Sequence, residues 1–239
     1  MALPETPEGA PLMLWLHGFA SSGRNAINNE AFVADVKERG YALIAPNGQP
    51  VFSDTSRLDW GVDDGHLQER DDVAFLREVL TDAVTRFGLD GERILAAGFS
   101  RGGSMIWDFA CRSPESAAGF AAVAGGFWEP MVPSCEAPVH LHHTHGFTDN
   151  LVPLEGRKIL FEGRDYAQGN IFKGLEIWRE VNGCPGAADV SSTEDDKWDK
   201  DWTSCDAGSL TLRLAPIGHG IPEGWTDMVL DWFEGINAQ

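Results

Sequence analysis

Gly98-Phe99-Ser100-Arg101-Gly102 reads G-x-S-x-G. It follows the apolar run Ile94-Leu95-Ala96-Ala97 and precedes a helical apolar pattern over 105–110. A strand, a very tight turn and a helix, in that order, push a serine hydroxyl out at the end of a sheet, and the flanking glycines let strand and helix approach closely. Serine is a poor nucleophile at neutral pH, so it needs a general base, and the base needs an orienting carboxylate. The chain offers one candidate for each. Asp149 follows a predicted strand at 139–143, within His145-Gly146-Phe147-Thr148-Asp149-Asn150. His219 follows a predicted strand at 209–214, within Pro216-Ile217-Gly218-His219-Gly220. Singly, these could be a turn-stabilising aspartate and a surface-loop histidine. Jointly, the order Ser, Asp, His, each after the carboxyl end of a strand, points to nucleophilic acyl transfer through Ser100, Asp149 and His219.

Acyl transfer also needs hydrogen-bond donors for a developing oxyanion. The backbone N–H of Arg101 is one candidate, directly after the nucleophile. The N–H of Phe19 is the other, in the turn His17-Gly18-Phe19 after the first predicted strand. His17, before glycine at a strand end, reads as a structural hydrogen-bonding residue rather than a base. Phe127 and Trp128 follow the strand at 119–123 on the same rim, and Trp60 and Trp225 join them as candidates for binding substrate. For each, packing in the core is the competing reading. In His140-Leu141-His142-His143-Thr144-His145, alternate histidines face opposite sides of a strand. They therefore read as neutral buried histidines, not as a metal site.

The elements that must hold these residues are visible as periodicity. Strands are expected at 11–16, 41–45, 93–97, 119–123, 139–143 and 209–214, separated by helical patterns at 31–39, 171–181 and 225–233 and by one opened by Asp71-Asp72 and stopped by Gly88. Short apolar strands alternating with helices imply an α/β fold whose mostly parallel sheet is covered on both faces. No long insertion between the strands signals a lid. Residues 185–208, rich in Asp and Lys near 193–202, read as a solvated excursion. The whole of 1–239 reads as one catalytic domain.

A net charge of −19 opposes binding to nucleic acid or anionic membrane surfaces through phosphate contacts. No apolar stretch approaches a membrane span. Met1-Ala2-Leu3-Pro4-Glu5 has neither the basic start nor the apolar stretch of a signal peptide, which leaves an intracellular chain or a leader replaced by a start methionine. The four cysteines form two sequence-local pairs, Cys111 with Cys135 and Cys184 with Cys205, although three pairings are open. Buried free thiols are the alternative to bridges, and bridges are preferred.

With these residues placed, the chain resembles the polyhydroxybutyrate depolymerase and feruloyl esterase group of α/β-hydrolases, the carbohydrate-esterase-like branch. The resemblance runs from Leu14-Trp15-Leu16-His17-Gly18 to Gly218-His219. Its most specific stretch leads from Arg70-Asp71-Asp72-Val73-Ala74-Phe75-Leu76 through Leu89-Asp90 and Arg93-Ile94 to Gly98-Phe99-Ser100-Arg101-Gly102-Gly103. Trp178, Asn182-Gly183-Cys184 and Cys205 belong to it as well. It implies a serine esterase without a cofactor, acting on small or polymeric esters: hydroxyalkanoate or feruloyl, or alternatively acetyl-xylan or synthetic polyester. It implies the same Ser100, Asp149 and His219, the bridges Cys111–Cys135 and Cys184–Cys205, and an exported or periplasmic protein. A dienelactone-hydrolase-like enzyme would carry cysteine at position 100. A non-catalytic carbohydrate-binding module would not need the Ser-Asp-His order. The chain departs from the group in Arg101, where a small or neutral residue is usual, and in Gly220-Ile221-Pro222, which lacks a tryptophan before the proline. Arg101 is expected to favour acidic or strongly polar substrate groups.

Overall fold

The computed structural model describes residues 1–51, 54–66, 69–194 and 196–237. The chain runs β1 (Leu12–Leu16), α1 (Gly23–Ile27), α2 (Glu30–Glu38), β2 (Ala42–Ile44), β3 (Gln49–Val51), β4 (Asp54–Asp59) and α3 (Asp72–Phe87). It continues through β5 (Ile94–Phe99), α4 (Arg101–Arg112), β6 (Gly119–Val123), β7 (His140–Gly146), β8 (Arg157–Phe161) and β9 (Arg164–Gln168). The last elements are α5 (Ile171–Asn182), β10 (Val190–Glu194), β11 (Lys197–Trp202), β12 (Ser209–Ala215) and α6 (Trp225–Asn237). Among the described residues, eight strands form one sheet in the order β10-β11-β12-β7-β6-β5-β1-β2. From β12 to β2 every pairing is parallel.

Strand alternation divides the core between the two faces. Leu12, Leu14 and Leu16 of β1 point into one cluster with Leu76 and Leu80 of α3, Phe109 of α4 and Trp178 of α5. Met13 and Trp15 point into the other, with Val36 of α2 and Val229, Leu230 and Phe233 of α6. Helix ends are set by local chemistry. Asp71 caps α3 by accepting from the N–H groups of Val73 and Ala74, and Gly88 closes it at φ 64°. Asn170 and Gly183 do the same for α5. Cys111 is bridged to Cys135 and Cys184 to Cys205.

The reading of 185–208 as a solvated excursion is corrected. Its middle forms the antiparallel pair β10 and β11, which extends the sheet beyond β12. The charged composition hid a strand because the charges are paired across the ladder. Asp199 lies opposite Arg213 and is ion-paired with it; Asp201 lies opposite Thr211 and accepts its hydroxyl at 2.7 Å. Two further hairpins, β3–β4 and β8–β9, also escaped the periodicity reading. Both frame the cleft described next.

Candidate active site

Ser100 sits between β5 and α4 at φ 57° and ψ −120°, a left-handed-side conformation that side chains other than glycine occupy at a penalty of about 1–3 kcal/mol. The surroundings impose it. A Cβ at position 102 would stand 2.1 Å from the Leu16 carbonyl oxygen, and one at 103 would stand 2.7 Å from that of Val123. Only glycine lets the start of α4 press between β1 and β6. The Ser100 N–H donates to the Val123 carbonyl at 2.8 Å, fixing the turn to the neighbouring strand.

The other two side chains come from loops at the same end of the sheet. Strands β7 and β12 pair through Ala215 and Gly146, and their loops stay together beyond: the Phe147 N–H donates to Ala215 and the Thr148 N–H to Ile217. Asp149, 4% exposed, directs Oδ1 at the N–H groups of Leu151 and Val152, both at 2.8 Å. Its Oδ2 lies 2.7 Å from His219 Nδ1, and His219 Nε2 lies 2.9 Å from Ser100 Oγ. An ionised carboxylate only accepts, so Nδ1 carries the proton and Nε2 accepts from the serine hydroxyl. The imidazole also packs against the tilted Phe99 ring, with centroids 4.9 Å apart.

Gly18 faces this serine: a Cβ there would be 3.4 Å from Ser100 Cβ. The turn carrying Phe19 is held by His17, whose Nε2 accepts from the Gly48 N–H at 3.0 Å. Its Nδ1–H must then donate to the Gly18 carbonyl, at 2.8 Å. Burial lowers the His17 pKa, which keeps that neutral form. The Trp60 indole N–H donates to the His17 carbonyl, so Trp60, 1% exposed, braces the turn.

Ser100 and His219 open onto a cleft of about 1590 Å³. Both hairpins reach Phe19 in this cleft: Phe161 of β8 packs edge-on against it at 5.8 Å, and the Arg57 guanidinium of β4 lies 4.6 Å over the same ring. On the far wall, His66 packs against Tyr166 and its Nε2–H donates to the Asp165 carbonyl at 3.1 Å. Trp128 and Trp225 also line the cleft. Trp225 is 3% exposed, with its N–H on Thr144 Oγ1. Phe127 is a correction to the expected substrate contacts. It is buried in the core, stacked on Trp178 at 5.8 Å and edge-on to Trp107 at 4.9 Å, because the chain turns inward one residue before Trp128.

Arg101 is the second correction. Its side chain is 10% exposed and does not present a free charge to substrate. Nε donates to Asp59 Oδ1 and Nη2 to Asp64 Oδ2, each at 3.0 Å, and the guanidinium lies 4.5 Å over the Trp128 ring. It ties the residue after the serine to β4 and to the segment beyond it. The same segment is held by Asp108, whose Oδ2 accepts from the Asp63 N–H at 2.7 Å and whose carboxyl is pushed up to about 7 by complete burial. Sequence reasoning singled out Trp60 but missed Asp59 and Asp64 beside it. The signal was an arginine directly after the elbow serine, at the packed start of α4, a charge that has to be paired.

The histidines of β7 take protein partners. His140 Nδ1 meets Ser209 Oγ at 2.8 Å, and His142 Nδ1 meets Thr144 Oγ1 at 3.3 Å. His142 packs on Trp232 and His143 on Trp107, on opposite faces of the sheet. Burial holds both neutral, His142 down to about 3 and His143 well below its ordinary value.

The chain has the α/β-hydrolase fold. The acetyl xylan esterase of Aspergillus awamori superposes with a TM-score of 0.70 at 13% identity over 98% of this chain and 92% of that one. Esterase PE8 does so with a TM-score of 0.64 at 18% identity over 98% and 96%. In sequence, a putative esterase NocK from Nocardia uniformis subsp. tsuyamanensis is 29% identical over 158 residues, 64% of this chain and 44% of that protein. Feruloyl esterase C of Emericella nidulans is 23% identical over 184 residues, 74% and 62% of the two chains. The chain thus spans between 44% and 62% of the length of these two relatives. No family model matches it.

Proposed function

We propose that this chain is a serine carboxylic-ester hydrolase working through an acyl-enzyme. The observation that carries the reading is the continuous line from Ser100 Oγ through His219 to Asp149, at 2.9 and 2.7 Å, opening onto the cleft. Ser100 Oγ attacks the ester carbonyl while its proton passes to His219 Nε2. Asp149 stabilises the imidazolium, and the N–H groups of Phe19 and Arg101 receive the oxyanion, each worth about 3 kcal/mol of barrier. Collapse breaks the acyl–oxygen bond, and the proton on Nε2 goes to the departing alcohol. A water, deprotonated by the same nitrogen, then attacks the acyl carbonyl; collapse breaks the bond to Ser100 Oγ, which takes the proton back from Nε2 as the acid leaves. Apart from that water, every group in these steps is a side chain or amide of this chain, and the scheme calls for no cofactor.

The substrate reading rests on the cleft. Its aromatic wall of Phe19, Trp128, Phe161 and Tyr166 suits a bulky aromatic or hydroxyalkanoate acyl group. The relatives named feruloyl esterase support the aromatic choice. The two disulfides fit an exported protein. The whole of 1–239 acts as one catalytic domain in this reading. Turnover of methyl ferulate, hydroxybutyrate oligomers, acetylated xylan and polyester film by the native chain and by Ser100→Ala tests it. An aromatic or hydroxyalkanoate ester should lead the panel, with turnover abolished in the variant. Undiminished turnover by Ser100→Ala would end the scheme.

A further inference from the structure

The loop that presents Asp149 is closed from behind by a residue outside the three already placed. Val152 uses both of its peptide groups in this: its N–H donates to Asp149 Oδ1 at 2.8 Å, and its carbonyl lies 2.7 Å from His145 Nε2. A carbonyl can only accept, so His145 Nε2 carries a hydrogen. The same nitrogen stands 3.5 Å from Asp149 Oδ2, the oxygen that faces His219. His145 and Asp149 are both buried, with no side-chain surface exposed.

The proton positions follow without further choice. Burial lowers the His145 pKa, and although Asp149, Glu155 and the Val152 carbonyl oppose this while His219 adds to it, the ring is neutral. Its Nδ1 is therefore bare. That atom lies 3.0 Å from His143 Nε2, which must donate to it, leaving His143 Nδ1 as a buried acceptor with no partner among the described residues. His143 is neutral for the same reason, with His142 and His145 as its titratable neighbours. One carbonyl thus sets the direction of the whole chain, from His143 through His145 to the Asp149 loop.

We propose that His145 is a positioning residue for the reaction assigned above. Its Nε2–H, donated to the Val152 carbonyl with Asp149 Oδ2 3.5 Å away, locks the 149–152 turn and fixes the direction in which the carboxylate faces His219. The proposal rests on the serine-hydrolase reading. It adds a residue that touches neither substrate nor the reacting atoms, yet sets the aim of the one that orients the base. A misplacement of about 1 Å in such a group lowers turnover by on the order of 100-fold.

Two variants and one spectrum test it. His145→Leu removes the donor; kcat should fall on the order of 10- to 100-fold while KM stays within about twofold, as for an interaction made in the transition state. His145→Gln places an amide N–H where Nε2 stood and should recover most of that loss. Equal kcat for the two variants, or a loss confined to KM, overturns the proposal. Where His145→Leu fails to fold, long-range 1H–15N spectra of the 15N-histidine-labelled native chain decide it. His145 should remain the neutral Nε2–H tautomer between about pH 6 and 8. An Nδ1–H tautomer or protonation in that interval overturns it. The spectrum requires no turnover, so a failed serine mechanism and a failed His145 role give different results.

Discussion

Replacing Arg101 with leucine tests the assignment of its charge to the protein rather than to substrate. The substitution leaves Asp64, with a side chain 2% exposed, and Asp59, at 27%, facing each other without a cation. Removing one partner of a buried ion pair destabilises by about 3–5 kcal/mol. The partial exposure of Asp59 argues for the lower end, and the lost stacking on Trp128 adds about 1 kcal/mol. We expect about 4 kcal/mol at about pH 8, which for a chain of this size lowers Tm by roughly 10 °C. Acidification should shrink the deficit. Burial raises the Asp59 pKa even with Arg101 present, and removing the cation raises it further. A carboxyl whose folded pKa is raised destabilises only where it is ionised, so the penalty fades as pH falls through that value. Thermal unfolding of the native and Arg101→Leu chains at about pH 8 and about pH 5 reads both effects. A parallel assay with a neutral and an anionic ester should show the ratio of their kcat/KM unchanged within about twofold. A stability loss under about 1 kcal/mol, or a loss of activity confined to the anionic ester, would refute the clamp and restore Arg101 as a substrate contact.

Other outcomes follow from buried groups and bridges. His142, held at about 3 against an ordinary 6.5, is neutral when folded but protonates when unfolded below 6.5. Its stabilisation is present above pH 6.5 and declines as pH falls towards 3, by about 2 kcal/mol at pH 5; His142→Gln should flatten the acid limb of a denaturation series. Asp108, at about 7 against 3.8, acts with the opposite sign, holding a proton when folded that the unfolded chain has released. Its contribution is lost as pH rises from 4 to 7, by at most about 4 kcal/mol, so Asp108→Asn should be relatively more stable at alkaline pH while still accepting from Asp63. Removal of Cys184–Cys205, which closes a separation of 21 residues, should lower stability by about 3 kcal/mol, read from urea midpoints of the native chain and of the double variant Cys184→Ser, Cys205→Ser.

The central strands were legible because burial on both faces makes them continuous apolar runs, and the strand at 119–123 coincides with β6. Ser100, Asp149 and His219 were legible because each follows the carboxyl end of such a run. Legibility ended where polar residues form strands. In β11 the charges are satisfied by β12, a partner that is next in sequence but whose pairing leaves no hydrophobic alternation to read. In β8 and β9, Ile159, Phe161 and Tyr166 line the cleft beside Arg157, Arg164 and Gln168, and the exposed Lys158 and Asp165 leave no apolar run to read. Strand β7 runs three residues beyond the expected end at 143, because its polar residues there are satisfied internally: Thr144 by His142 and Trp225, and His145 by His143 and the Val152 carbonyl. Arg101 and Phe127 were misplaced for a shared reason. Their neighbours in space, Asp59 and Asp64 for one and Trp178 for the other, come from distant stretches that no local pattern connects.

The central claim is that Ser100 is a nucleophile activated by His219. Treatment of the native chain with a fluorophosphonate, followed by mass spectrometry of the peptides, measures this directly. One adduct per chain should appear on the peptide containing Ser100, at a rate that falls steeply in His219→Ala, and none should form there in Ser100→Ala. Ester hydrolysis that continues with Ser100 unlabelled, or labelling of Ser100 that is indifferent to His219, would contradict it.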